Sequence, residues 1–182
     1  MSTKRQSLTD LQDRLAQRLN DAKTQSISAS WLAIEVDQIR YLLPLVQTGE
    51  IFPWASVQVV PYTRDWYAGV VSLRGGLYGV IDLLRFPGLN PGAIAEQVAM
   101  ADRLSSESRL VSLHEALGVN AVLWVDRLLG LRSPAMFSAL GEPTPAAPPY
   151  AHRTLIDHQG VSWYELDLQL LSISPEFLAI AA

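Results

Sequence analysis

The chain has 182 residues, of which 49% are hydrophobic and 18% charged, with 14 basic against 18 acidic side chains and a formal charge of −4. That balance fills a core and excludes general disorder, while the acidic excess, with no basic patch, argues against nucleic acid or an anionic membrane as partner. The absence of cysteine excludes disulfides, thiolate metal sites and cysteine nucleophiles.

The opening MSTKRQSLTDLQDRL is polar and lacks a signal-peptide core. No run of about 18 apolar residues is present. The expectation is a cytoplasmic protein with no direct membrane insertion, built as one domain or two small joined ones.

Residues 7–25 read as a helix, since Leu8, Leu11, Leu15 and Leu19 recur at spacings of three and four. Its leucines have either a partner or the protein's own domain to cover them. Residues 20–30 form a polar linker. Short strands follow: Trp31–Val36, a tight turn at Asp37-Gln38, then Ile39–Leu43 and Val57–Pro61. Gly69–Arg74 and Leu77–Ile81 flank Gly75-Gly76, a pair suited to a two-residue hairpin because both central residues take positive φ. Asp82 is placed to cap a short helix Leu83–Phe86, stopped by Pro87-Gly88.

Residues 89–108 are smaller and more polar, with Pro91 placed to start a helix. Strands resume at Arg109–Leu113, Ala121–Val125 and Leu128–Leu131. Five prolines between 133 and 149 predict an irregular loop. Arg153–Ile156 and Val161–Leu166 flank a turn at 157–160. Asp167 caps a helix to Leu171, and Ser174-Pro175-Glu176 opens another. Nine or ten short strands with few helices point to barrels or a sandwich rather than a βαβ fold.

Chemistry is poorly signposted. His114, His152 and His158 have no second ligand at helical spacing. Glu115 beside His114 would point to the opposite face of a strand. Ser72 lies in an apolar strand outside any nucleophile elbow. Gly75-Gly76 lacks the surroundings of a phosphate loop. Asp82, Asp126 and Asp167 could supply an acid–base pair, but turn and cap roles account for each more economically. Trp31, Trp54, Trp66, Trp124 and Trp163 have apolar or acidic neighbours, which fits packing better than base stacking. Residues alone lead to a β-rich binding module.

One segment is more specific. From Pro61 through Gly69-Val70, Ser72-Leu73-Arg74-Gly75 and Val80-Ile81-Asp82-Leu83, it resembles the central signature of the CheW family. That signature runs from a proline through Gly-Val and Asn-Leu-Arg-Gly to Val/Ile-x-Asp-Leu. Trp31–Val36 resembles the family's first strand, and 41–50 the strand and acidic position before the signature. Ala121–Asp126 resembles a later strand ending in Val-Asp, and Tyr164–Leu168 the last one. The leucine-bearing helix and the Pro-Glu-Phe-Leu tail at 175–178 resemble the PilI branch of type IV pilus twitching motility. Three departures bear on receptor choice: Ser72 for the signature asparagine, Gly79 where proline is common, and a longer connector.

The resemblance implies an all-β fold of two interlocked five-stranded SH3-like β-barrels with an N-terminal helix and short capping helices. Residues 1–28 would be a helical extension and linker, and 29–182 the CheW-like domain, with a connector at about 87–108. It implies a non-enzymatic adaptor without cofactor or metal, coupling a methyl-accepting chemoreceptor to a CheA-type histidine kinase. The partners would be the receptor's cytoplasmic tip and the kinase regulatory domain. Arg74, Glu50, Thr48 and Gly69 match receptor-binding positions, with Glu50 expected to pair with Arg74 and orient it. The alternative is another SH3-like interaction module with a different partner.

Overall fold

The computed structural model describes residues 30–89, 100–141, 147–151 and 153–182. The helix expected at 7–25, nearly all of the 20–30 linker, and His152 lie outside these residues, as does the start of the helix expected after Pro91. Eleven strands are described: β1 (Trp31–Val36), β2 (Ile39–Pro44), β3 (Thr48–Pro53), β4 (Tyr67–Leu73), β5 (Gly76–Asp82), β6 (Arg109–Leu113), β7 (Ala121–Val125), β8 (Arg127–Arg132), β9 (Phe137–Leu140), β10 (Arg153–Asp157) and β11 (Ser162–Glu165). Three short helices accompany them: α1 (Met100–Arg103), α2 (Leu168–Ser172) and α3 (Pro175–Leu178). Among the described residues no helix is long and apolar enough to cross a membrane.

The strands form a six-stranded sheet in the order β8-β1-β2-β11-β10-β9 and a five-stranded one in the order β3-β6-β7-β5-β4. The expectation of two five-stranded barrels is corrected on both counts: one sheet has six strands, and neither ladder closes on itself. The two sheets are threaded through each other. The chain leaves the six-stranded sheet after β2 through a 3₁₀ turn at Leu45–Gln47, builds the other sheet from β3 to β7, and returns at Asp126.

Alternate residues of a strand face opposite sides, and here both sides are apolar. Along β1, Leu32, Ile34 and Val36 join a core shared with Val111, Leu113, Leu123 and Val125 of the other sheet. Trp31 and Ala33 point the other way, into a smaller core with Leu42, Leu155 and Trp163. On β7, Leu123 and Val125 enter the shared core, while Val122 and Trp124 pack with Phe52, Val71 and Leu73. Burial on both faces explains why β1 and β7 read as nearly continuous apolar runs.

Each sheet is strongly curved. β1 and β9 are four places apart in their sheet, ~19 Å if it were flat, yet the Trp31 and Phe137 rings meet edge-to-face at 5.6 Å. The curvature has a chemical cause: a small group of bulky rings can be dried only if the end strands fold over it.

Several local expectations need correction. Val57–Pro61 is not a strand; Gln58 alone forms an isolated bridge to Val70. Leu83–Phe86 is a turn, in which Asp82 Oδ1 accepts the Leu84 amide at 3.0 Å. The stretch from 133 includes a real strand, β9, because Phe137 completes the small core. Asp167 does cap α2, accepting from the amides of Gln169 and Leu170, and Ser174 caps α3 through the Phe177 amide. Phe177 of α3 then packs with Trp66 and Phe86, fixing the C-terminal tail to the signature segment.

Candidate functional site

The hairpin joining β4 and β5 lies one residue earlier than the sequence predicts. Leu73 pairs with Gly76, so the two central residues are Arg74 and Gly75, with φ of 46° and 84°. Two successive left-handed residues match the twist of the flanking strands. Arg74 is a non-glycine residue at this strained position, and its side chain stands off the tip in solvent.

Glu50 reaches it from the opposite end of the same sheet. β3 and β4 are the two edge strands, four places apart. A bulge at Gly49-Glu50 interrupts the pairing of β3 with β6, since Thr48 to Ile51 opposes only Leu113 to Val111. The Ser112 hydroxyl fills the bulge and accepts the Glu50 amide at 2.7 Å. A Cβ on Gly49 would lie 2.4 Å from that hydroxyl oxygen, so a side chain there would push Ser112 out of the bulge. The result aims Glu50 outward, and its Oε2 lies 2.5 Å from Arg74 Nη1. Phe52, two residues on, sits under the guanidinium, 5.6 Å from ring centroid to Cζ.

The anticipated Glu50–Arg74 pair is therefore present, and it spans the gap between the edges of the five-stranded sheet. Both partners remain open, with side-chain exposures of 74% for Arg74 and 55% for Glu50. An exposed pair of this kind contributes about 0–1 kcal/mol to stability.

Thr48 and Gly69 are both buried, Thr48 at the start of β3 and Gly69 near the start of β4, at the end of that strand away from the hairpin tip. The Thr48 hydroxyl donates to the Leu45 carbonyl at 3.0 Å, closing the turn by which the chain crosses between sheets. Gly69 has a φ of 137°, and a Cβ there would lie 2.2 Å from the Gln58 carbonyl oxygen. The close approach permits the reciprocal Gln58–Val70 backbone bonds, both 2.8 Å. Ser72 is exposed on β4. At Gly79 the amide donates to the Asn120 carbonyl at 2.9 Å, a bond that the proline common at this position could not make.

The aspartates converge in a way that the sequence does not reveal. Arg103 of α1 binds the carboxylates of Asp82 and Asp126 together, the latter through Nε at 2.8 Å, with its guanidinium 4.3 Å above Trp124. Asp126 also accepts the Asp37 amide at 2.7 Å, so one cluster links β5 and β7 of one sheet to the β1–β2 turn of the other. Two carboxylates bound by one guanidinium form a structural joint, and no free acid–base pair results among the described residues. His114 caps a 3₁₀ turn through Nδ1 and the Ala116 amide, while His158 contacts the Ala135 carbonyl. Among the described residues no group of three or more metal-ligating side chains assembles.

Fold and tip together define a module of two curved, interlaced β-sheets that share one core and carry a braced arginine on a hairpin end. The CheW-like domain family matches residues 30–175, and the chain belongs to that family. In three dimensions it is similar to the crystal structure of the scaffolding protein TtCheW from Thermoanaerobacter tengcongensis, with a TM-score of 0.61 and 18% identity over 82% of this chain and 95% of that one. No curated protein matches the sequence.

Proposed function

We propose that the protein is a non-enzymatic adaptor that couples a methyl-accepting chemoreceptor to a CheA-type histidine kinase in the cytoplasm. Arg74 provides the receptor contact, Glu50 orients it, and Thr48 and Gly69 shape the binding wall. The kinase regulatory domain takes a separate apolar surface. Residues 29–182 constitute the adaptor domain and 1–28 an extension. Because that extension is leucine-striped and the tail reads Pro-Glu-Phe-Leu, the PilI branch of pilus signalling is the version proposed.

The observation carrying this reading is the bracing of Arg74. A left-handed turn, an ion pair across the sheet gap and an aromatic ring together restrict a side chain that packs nothing in the core. Holding an exposed guanidinium in one orientation lowers the entropy lost when it meets a carboxylate or carbonyl.

The test is a binding measurement between the full chain and a soluble receptor cytoplasmic fragment. Arg74→Ala should weaken binding at least about tenfold, the worth of a charged hydrogen bond, while the thermal midpoint moves little. Normal receptor binding by folded Arg74→Ala would end the proposal.

A further inference from the structure

A cleft of about 600 Å³ opens on the six-stranded sheet, between the β8–β9 corner and the β10–β11 turn. It includes none of Glu50, Thr48, Gly69 or Arg74. Three arginines line it, Arg40, Arg127 and Arg132, against two carboxylates, Glu35 and Asp157. One positive charge is left over, in a chain whose net charge is −4.

The carboxylates are already committed. Asp157 accepts the Trp163 indole N–H at 2.9 Å, the Val161 amide at 2.9 Å and the Gln159 amide at 2.8 Å. Those bonds, the indole foremost, hold its carboxyl below the usual range. Glu35 accepts two bonds from Arg127, from Nη2 at 2.5 Å and Nε at 3.1 Å. Arg40 comes only to 4.0 Å from Glu35. The hydrogen bond of Arg132 among the described residues goes to its neighbour's carbonyl, Leu131 O, at 3.1 Å.

Arg40 and Arg132 nevertheless converge. Their guanidinium carbons lie 5.3 and 5.1 Å from the centroid of one ring, that of buried Trp163. The ring lies against both forks, and among the described residues their edge donors have no carboxylate acceptor at hydrogen-bond distance. Beside them the cleft is apolar, lined by Leu129, Met136 and Phe137.

We propose that this cleft binds a carboxylate carried on an apolar group. Arg40 and Arg132 take the oxygens, and Met136 and Phe137 take the apolar body. The carboxylate comes either from a free organic acid or from an acidic side chain next to an apolar one in a partner protein. The site is independent of the receptor contact proposed at Arg74.

The experiment uses full-length ¹⁵N-labelled protein and follows the indole N–H resonance of Trp163, assigned by loss of the signal in Trp163→Phe. Three probes are titrated: 3-phenylpropionate, a doubly blocked Glu-Phe dipeptide, and 3-phenylpropanol, which keeps the shape but lacks the charge. Saturable shifts with the two acids and none with the alcohol are expected. Arg132→Gln should weaken binding about tenfold. Arg132→Lys, which keeps the charge but not the fork, should fall between, and serves if the glutamine variant does not fold. Tighter binding of the dipeptide identifies a protein partner, and equal or tighter binding of the free acid a small-molecule ligand. No shift with either acid, an equal shift with the alcohol, or unchanged binding by both folded Arg132 variants overturns the proposal.

Discussion

Replacing Arg103 by methionine removes the one cation bound to both Asp82 and Asp126 while keeping most of the side-chain volume. Arg103 is only 9% exposed and Asp82 5%, so the substitution strands a carboxylate in a nearly dry site. Breaking such a buried pair from one side costs about 3–5 kcal/mol. Asp82 still has the Leu84 amide at 3.0 Å and Arg85 at 3.7 Å, which places the cost near the lower end, ~3 kcal/mol. For a chain of this length that corresponds to a fall in Tm of roughly 6–12 °C. Urea denaturation followed by tryptophan fluorescence gives the free energy directly. The double variant Arg103→Met/Asp82→Asn should recover about 1 kcal/mol or more, because the drier of the two carboxylates is then uncharged and only Asp126, with its side chain 27% exposed, keeps its charge. A loss below about 1 kcal/mol in the single variant, or no recovery in the double one, would refute the account of this cluster as the joint between the sheets.

Gly69→Ala should destabilise by about 2–4 kcal/mol, adding the cost of positive φ to the loss of the Gln58–Val70 bonds; a change under about 0.5 kcal/mol in the denaturation midpoint would contradict that geometry. Alkaline unfolding should report on Tyr150, whose hydroxyl donates to the Pro87 carbonyl and whose pKa burial pushes up to about 12. Its phenol ionises more readily in the unfolded chain, near pH 10, so its contribution is complete below about pH 10 and disappears as pH rises through about 12. Burial likewise raises Tyr41, with Tyr164 and Asp37 adding to the effect. Urea midpoints should therefore be flat up to about pH 9.5 and fall beyond it, with a shallower fall in Tyr150→Phe.

Local information carried a large share of the architecture. Most strands, the Asp37-Gln38 turn and the caps at Asp167 and Ser174 are short-range chemistry, and a one-dimensional reading recovers them, while it places a strand at Val57–Pro61 where there is none and passes over β3 at Thr48–Pro53. The signature around Arg74 points to the family, and the acidic position before it corresponds to Glu50, which pairs with Arg74. β9 was missed because four residues between prolines carry no periodic signal; Phe137 becomes a strand residue only because Trp31 and Trp163 need covering.

The six-to-five partition of strands, the bulge that turns Glu50 outward, and the meeting of Asp82, Asp126 and Arg103 depend on contacts between residues far apart in the chain. The same holds for Arg40 and Arg132, 92 positions apart, which converge on Trp163. Pattern determines which side of a strand is apolar. Only curvature, imposed by the need to dry both faces at once, determines which distant side chains then meet.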